Sequence, residues 1–249
     1  MRSTFPVRND GTVRHDARLR AVEHLAARLA AIPGVVAVTL GGSRARGEAR
    51  PHSDWDFGLY YRDTIDTGAI RALGFDGDVF EPWQWGRIPN GGAWLTVDGQ
   101  KVDLIYRDLD DVERWTNEAN QGRFEIYREV GHVAGVPTYT LTGELAINKL
   151  LSGTLPKPDF PDALRETAPP IWMNLARGAL KFAEHHERND DSVPRQANLA
   201  VAVLSLAHAI CCEQGVWVLN EKGLVARAGL AHLDATSTEE VDAALTTMR

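Results

Sequence analysis

The residues best equipped for chemistry fall in three stretches: Gly41-Gly42-Ser43-Arg44-Ala45-Arg46-Gly47, Ser53-Asp54-Trp55-Asp56-Phe57-Gly58-Leu59 and Lys101-Val102-Asp103-Leu104-Ile105. A glycine-rich turn opening a helix presents backbone N–H groups and a positive dipole end, which suits a phosphate. The Ser43 hydroxyl and the Arg46 guanidinium add donors, enough to seat a triphosphate tail. Asp54 and Asp56, at i and i+2 of a strand, project from one face, and Asp103 on another strand supplies a third hard oxygen ligand. Three carboxylates of this kind can hold Mg²⁺ while leaving positions open for phosphate oxygens. Two such ions would stabilise both the entering oxygen and the leaving pyrophosphate in displacement at an α-phosphorus.

The flanking sequence supplies the elements that must position these groups. Residues 14–32 place Val22, Leu25, Ala26, Leu29 and Ala30 at helical spacing, and Pro33-Gly34 stops the pattern. Val35–Leu40 is β-branched and apolar and runs into the glycine turn, giving strand, turn and short helix. In Trp55–Tyr61 the apolar Trp55, Phe57 and Leu59 alternate with the acids, so a second strand is expected. Asp98-Gly99 predicts a hairpin turn between strands at Ala93–Val97 and Lys101–Tyr106, with Asp103 facing away from Val102 and Leu104. Beyond residue 120 the segments 141–152, 163–184, 196–213 and 237–248 are rich in Leu, Ala and Ile and predict helices. The expectation is an α+β fold: a mixed sheet flanked by helices over residues 1–125, followed by a helical bundle domain over 126–249.

A Gly-Ser turn, an Asp-x-Asp about ten residues on and a distal acid, in that order, resemble the signature of the DNA polymerase β-like nucleotidyltransferase superfamily. The resemblance implies that Asp54, Asp56 and Asp103 are the catalytic and metal-binding residues, with Asp103 also assisting deprotonation of the acceptor hydroxyl. It implies that Gly42, Ser43, Arg46 and Ser53 hold the triphosphate of ATP or another nucleoside triphosphate, alongside two Mg²⁺ ions. Length and the helical second half resemble the streptomycin and spectinomycin adenylyltransferases. In that group a helix beginning near an Asn is followed by a Gly and then a Lys on the nucleotide phosphates. Asn198, Gly215 and Lys222 stand in a similar order, which makes Lys222 a candidate phosphate ligand. Asp191 falls near a position where an acid contacts the aminoglycoside, but His186 stands where the aromatic partner is expected.

The implied activity is transfer of a nucleoside monophosphate, AMP by family default, to a hydroxyl of a small molecule such as an aminoglycoside. One alternative is a nucleotidyltransferase modifying a protein, as the antitoxin-like members do, although those chains are much shorter and the Arg177-to-His185 interval does not fit a toxin-type helical domain. Another is a nucleotide-binding module without catalysis, against which stands the presence of all three acids. Monomer and homodimer remain equally open.

Other residues have competing readings. Glu144 is either an acceptor-side base or a cap in the first turn of a helix. Trp83 and Trp85, preceded by Asp76, Asp78 and Glu81, are either a wall for a cationic ligand or half-buried strand residues. His185-His186 reads as a solvated helix end, and Cys211-Cys212 as core.

The composition excludes several classes. The 249 residues carry 44% hydrophobic and 24% charged residues, which suits one or two ordinary globular domains. A net charge of −7 argues against a duplex nucleic acid partner, whose phosphates demand a basic surface. No membrane partner is expected, and an N-terminus without an apolar run does not resemble a secretory signal, so a cytoplasmic location is the expectation.

Overall fold

The computed structural model describes residues 24–50, 52–233 and 236–247. The part of the first expected helix before residue 24, including Val22, lies outside the described residues; residues 24–30 are helical (α1). In chain order follow β1 (Val35–Leu40), α2 (Gly42–Arg46), β2 (Trp55–Tyr61), α3 (Thr67–Arg71), β3 (Asp76–Val79), β4 (Gly92–Val97), β5 (Gln100–Asp108) and α4 (Leu109–Asn120). The second half comprises β6 (Ile126–Tyr127), β7 (Val136–Pro137), α5 (Thr140–Ile147), β8 (Lys149–Ser152), α6 (Asp162–Arg188), α7 (Ser192–Glu213), α8 (Leu224–Arg227) and α9 (Thr238–Thr247).

These elements form two compact units. Of the described residues, one comprises those up to Gln84 with Gly91–Asp108 and Asn148–Leu155; the other comprises Trp85–Asn90, Leu109–Ile147 and those from Pro156 onward. The units are discontinuous in sequence.

The first unit is a six-stranded sheet in the order β3-β4-β5-β2-β1-β8, mixed because β2 and β5 run parallel while the other neighbours are antiparallel. Period-two alternation gives it two unlike faces. Phe57, Leu59, Ala93, Leu95, Val102, Leu104 and Tyr106 point to one side and form the core with Leu25 and Leu29 of α1. Asp56, Trp94 and Asp103 occupy the alternate positions and therefore the opposite face. The predicted hairpin is present, with Asp98 at φ 49° and Gly99 at φ 72°, both left-handed as a two-residue turn of this hand requires.

The apolar run at 141–152 is not one helix. It ends at Ile147, and Lys149–Ser152 pairs antiparallel with β1 instead. Left unpaired, β1 would be a bare apolar edge, and backbone pairing outweighs helical propensity there. Leu150 and Leu151 are consequently exposed, although their composition resembled a helix core.

The second unit is helical. Trp172, Ala176 and Leu180 of α6 pack with Leu199, Ala202, Leu206, Cys211 and Cys212 of α7 in one core, and both cysteines are free and fully buried. α7 has the length and hydropathy of a membrane span, but more than half of that stretch is buried within the protein, as in a core helix. His185 and His186 lie in the last turn of α6, as the sequence predicted.

Candidate active site

The chain leaves β1 at Gly41, whose N–H donates to the Asp56 carbonyl at 2.7 Å, so turn and acid-bearing strand are tied at the backbone. Gly42 follows at φ 60°. A Cβ at that position would stand 1.7 Å from Asp56 Oδ2, so only glycine admits the carboxylate over the turn. α2 is a single turn, closed by Gly47 at φ 75° with its N–H on the Ser43 carbonyl.

Sequence reasoning passed over Arg44. Its Nε donates to the Asp54 carbonyl at 3.0 Å and its Nη2 to the Ser53 carbonyl at 2.5 Å, while the guanidinium lies 3.8 Å from the centre of the Trp55 ring. Arg44 thus clamps the segment carrying Asp54 against α2. An arginine beside a Gly-Ser turn resembles a phosphate cation in sequence; only the fold reveals that it holds backbone carbonyls. Asn148 was also missed. Its Nδ2 donates to the buried Thr39 hydroxyl at 3.4 Å, and its Oδ1 is buried beneath Gly41 without a hydrogen-bond partner.

The remaining predicted phosphate residues have local partners. The Ser53 hydroxyl accepts from the Arg50 N–H at 2.8 Å. Arg46 is paired with Glu48 at 2.8 Å, so a phosphate at this guanidinium would compete with a carboxylate. Lys222 belongs to the other unit, in a turn where its N–H donates to Asn220 Oδ1 at 3.0 Å.

Asp56 and Asp103 fall where the alternation placed them, whereas Asp54, expected on the same strand, lies outside it. Asp56 and Asp103 are direct partners across the parallel β2–β5 pair, which brings their side chains to one face, and Asp54 stands one residue ahead of β2. Burial first, then the charges of Asp56 and Asp54, push the Asp103 carboxyl up to about 6, against the pull of Lys101. Hard oxygen donors with mutually repelling charge suit a divalent cation such as Mg²⁺. Among the described residues no three Asp, Glu, His or Cys side chains are gathered closely enough to hold a metal ion by themselves.

The raised Asp103 value carries a stability consequence. Because the folded carboxyl holds its proton more tightly than an unfolded one, ionised Asp103 costs stability above pH 6, and that cost is relieved as pH falls through 6 toward 4. Asp103→Asn is therefore expected to stabilise the metal-free protein at pH 8 by ~1–2 kcal/mol, discounted for partial exposure, by about half as much at pH 5, and hardly at all at pH 3. Thermal melts in chelator at the three pH values check this.

Several expectations are corrected. Trp83 and Trp85 lie in a turn, not a strand, and Trp83 has φ 68°, because Pro82 and Gly86 bend the chain there. Glu144 is the fifth residue of α5, beyond its first turn, so it is no cap. Asn198 lies inside α7, which starts six residues earlier, and its Nδ2 donates to the Pro194 carbonyl at 2.8 Å. His186 Nδ1 and Asp191 Oδ2 meet at 3.4 Å across the α6–α7 connection.

Residues 22–121 match the family model described as a nucleotidyltransferase domain, a span that contains the glycine turn and all three acids. Two solved structures are similar over most of this chain. One is a nucleotidyltransferase-like protein from Exiguobacterium sibiricum 255-15, 10% identical, covering 92% of this chain and 74% of its own, with a TM-score of 0.42. The other is a spectinomycin adenyltransferase from Enterococcus faecialis, crystallised with ATP and spectinomycin, 14% identical, covering 93% of this chain and 88% of its own, with a TM-score of 0.37. No curated protein matches the chain.

Proposed function

We propose, from the nucleotidyltransferase domain that this chain carries, that it transfers a nucleoside monophosphate from a nucleoside triphosphate, ATP by default, to a hydroxyl of a small molecule, releasing pyrophosphate. One observation carries this reading: Asp56 and Asp103 are register partners beside a turn whose Gly42 has no room for a side chain against the Asp56 carboxylate.

In the transfer the acceptor oxygen bonds to the α-phosphorus, the bond from that phosphorus to the bridging oxygen breaks, and pyrophosphate leaves with the electron pair. Asp54, Asp56 and Asp103 would hold Mg²⁺, two ions by resemblance, which when bound neutralises the phosphate charge. Gly42, Ser43, Arg46 and Ser53 are the proposed triphosphate contacts; Arg44 keeps Asp54 in place by holding its carbonyl. Lys222 is proposed as a further phosphate ligand on its charge and on resemblance alone. Asp103, with a carboxyl near 6, is suited to accept the hydroxyl proton; Glu144 is the second candidate for that role. The acceptor is proposed to be a small hydroxylated molecule, aminoglycosides included.

The test is pyrophosphate release from each of the four ribonucleoside triphosphates with Mg²⁺, across a panel of aminoglycosides and other hydroxylated compounds. Release is expected with one nucleotide and one acceptor class, and chelation should abolish it. Intact nucleotide binding with no release across the panel would point to a protein acceptor or to binding without transfer.

A further inference from the structure

Register places four side chains in one cross-strand row. Asp78 of β3 pairs with Trp94 of β4, Trp94 with Asp103 of β5, and Asp103 with Asp56 of β2. Direct partners share a face, so the row runs Asp78, Trp94, Asp103, Asp56 across the open side of the sheet, with adjacent side chains about 5 Å apart at Cβ. Gly41 continues the line beyond Asp56 through its hydrogen bond to the Asp56 carbonyl.

Trp94 is unusual for a central position in a sheet: it is 53% exposed. Its ring is braced by Phe80, edge-on at 4.9 Å and 70°. Gly77 lets the β3 backbone run close against that of β4, since a Cβ there would stand 2.0 Å from the Trp94 carbonyl oxygen. An indole held in place, half exposed and next to a reactive carboxylate, is a surface prepared for a ligand.

The row also has a direction. If the triphosphate tail rests at the glycine turn, the leaving pyrophosphate lies at the Gly41 end. In-line displacement then brings the attacking hydroxyl from the opposite end, across Asp103 toward Trp94. We propose that Trp94, with Asp78 beside it, is the platform that receives the acceptor and selects a hydroxylated ring carrying an amino or guanidino group. The indole face attracts the cation and covers the ring, and the Asp78 carboxylate, on an exposed strand, adds the complementary charge. This inference rests on the nucleotidyl-transfer reading, because that reading gives the row its direction.

The experiment is calorimetric titration of the full chain, first with Mg²⁺ and a non-hydrolysable ATP analogue, then with streptomycin, kanamycin A or, as a neutral control, glucose. At least one cationic probe is expected to bind the wild type and glucose not to. Trp94→Ala is expected to weaken that binding about tenfold or more and Asp78→Asn about threefold, with nucleotide affinity unchanged in both. Trp94→Phe, which keeps a ring, is expected to restore most of the affinity, an outcome that a purely structural role would not give, and melting curves establish that each variant is folded. Equal probe affinity in wild type and Trp94→Ala would overturn the proposal, as would nucleotide binding with no binding of either cationic probe, and both would leave nucleotidyl transfer standing. Failure of the wild type to bind the nucleotide would overturn both readings together.

Discussion

Asp56→Asn is expected to lower kcat by about a thousandfold or more, a loss of about 4 kcal/mol of transition-state stabilisation. The substitution keeps size and shape but removes the charge that faces Asp103 across the β2–β5 pair. Folding is expected to survive, because the backbone link from the Gly41 N–H to the Asp56 carbonyl is untouched and one of three repelling carboxylates is gone. The released charge should also lower the Asp103 carboxyl from about 6, since Asp56 is one of the groups that raises it. Asp54→Asn is expected to act in the same direction. Asp98→Asn is the matched control: Asp98 sits in the β4–β5 hairpin turn at φ 49°, which asparagine adopts readily. Steady-state rates for the three variants decide the matter, and wild-type turnover in Asp56→Asn would remove the acid cluster from the mechanism.

Gly42→Ala is expected to be nearly as damaging for a steric reason. Its new methyl group would overlap Asp56 Oδ2, and its backbone at φ 60° already disfavours a side chain. The strain costs about 1–2 kcal/mol of stability, and the displaced carboxylate is expected to cost kcat about a hundredfold, since an ångström of misplacement is worth that much. Gly47→Ala separates the two effects. Gly47 has a similar φ of 75° but nothing within 4 Å of its would-be Cβ, so it should lose stability without losing turnover. Parallel melting curves and rates for the two alanines would reveal the difference, and equal rates would mean that Asp56 does not need its seat over the turn.

What the sequence made legible was local. β1, β2 and the β4–β5 hairpin follow from alternation, β-branching and one Asp-Gly turn, and they carry Asp56 and Asp103, with Asp54 just ahead of β2. Other features depended on partners distant in the chain. β8 exists because β1 needs an outer neighbour. α4 went unrecognised because its mixture of Asp, Glu, Arg and Asn masks a buried stripe of Leu109, Val112, Trp115 and Ala119. Arg44 was passed over, since nothing in its neighbours says that it holds the carbonyls of Ser53 and Asp54. Trp94 drew no attention at all, because its significance lies in register with Asp103 and Asp78, which strand patterns alone do not specify. Trp83 and Trp85 were singled out instead, and they occupy a turn.

The parallel pairing of β2 with β5 also governs how the site comes into being. Asp56 and Asp103 are distant in the chain, with α3, β3 and β4 lying between their strands in sequence. Contacts of that range form slowly, because loop closure must be completed before any pairing rewards it. The glycine turn and its Asp-x-Asp strand can assemble early as a local hairpin, whereas the third acid arrives only with the finished sheet. A chain in which β5 has not yet joined β2 therefore lacks the full charge cluster, and the proposed metal site would be complete only once that long-range pair has formed.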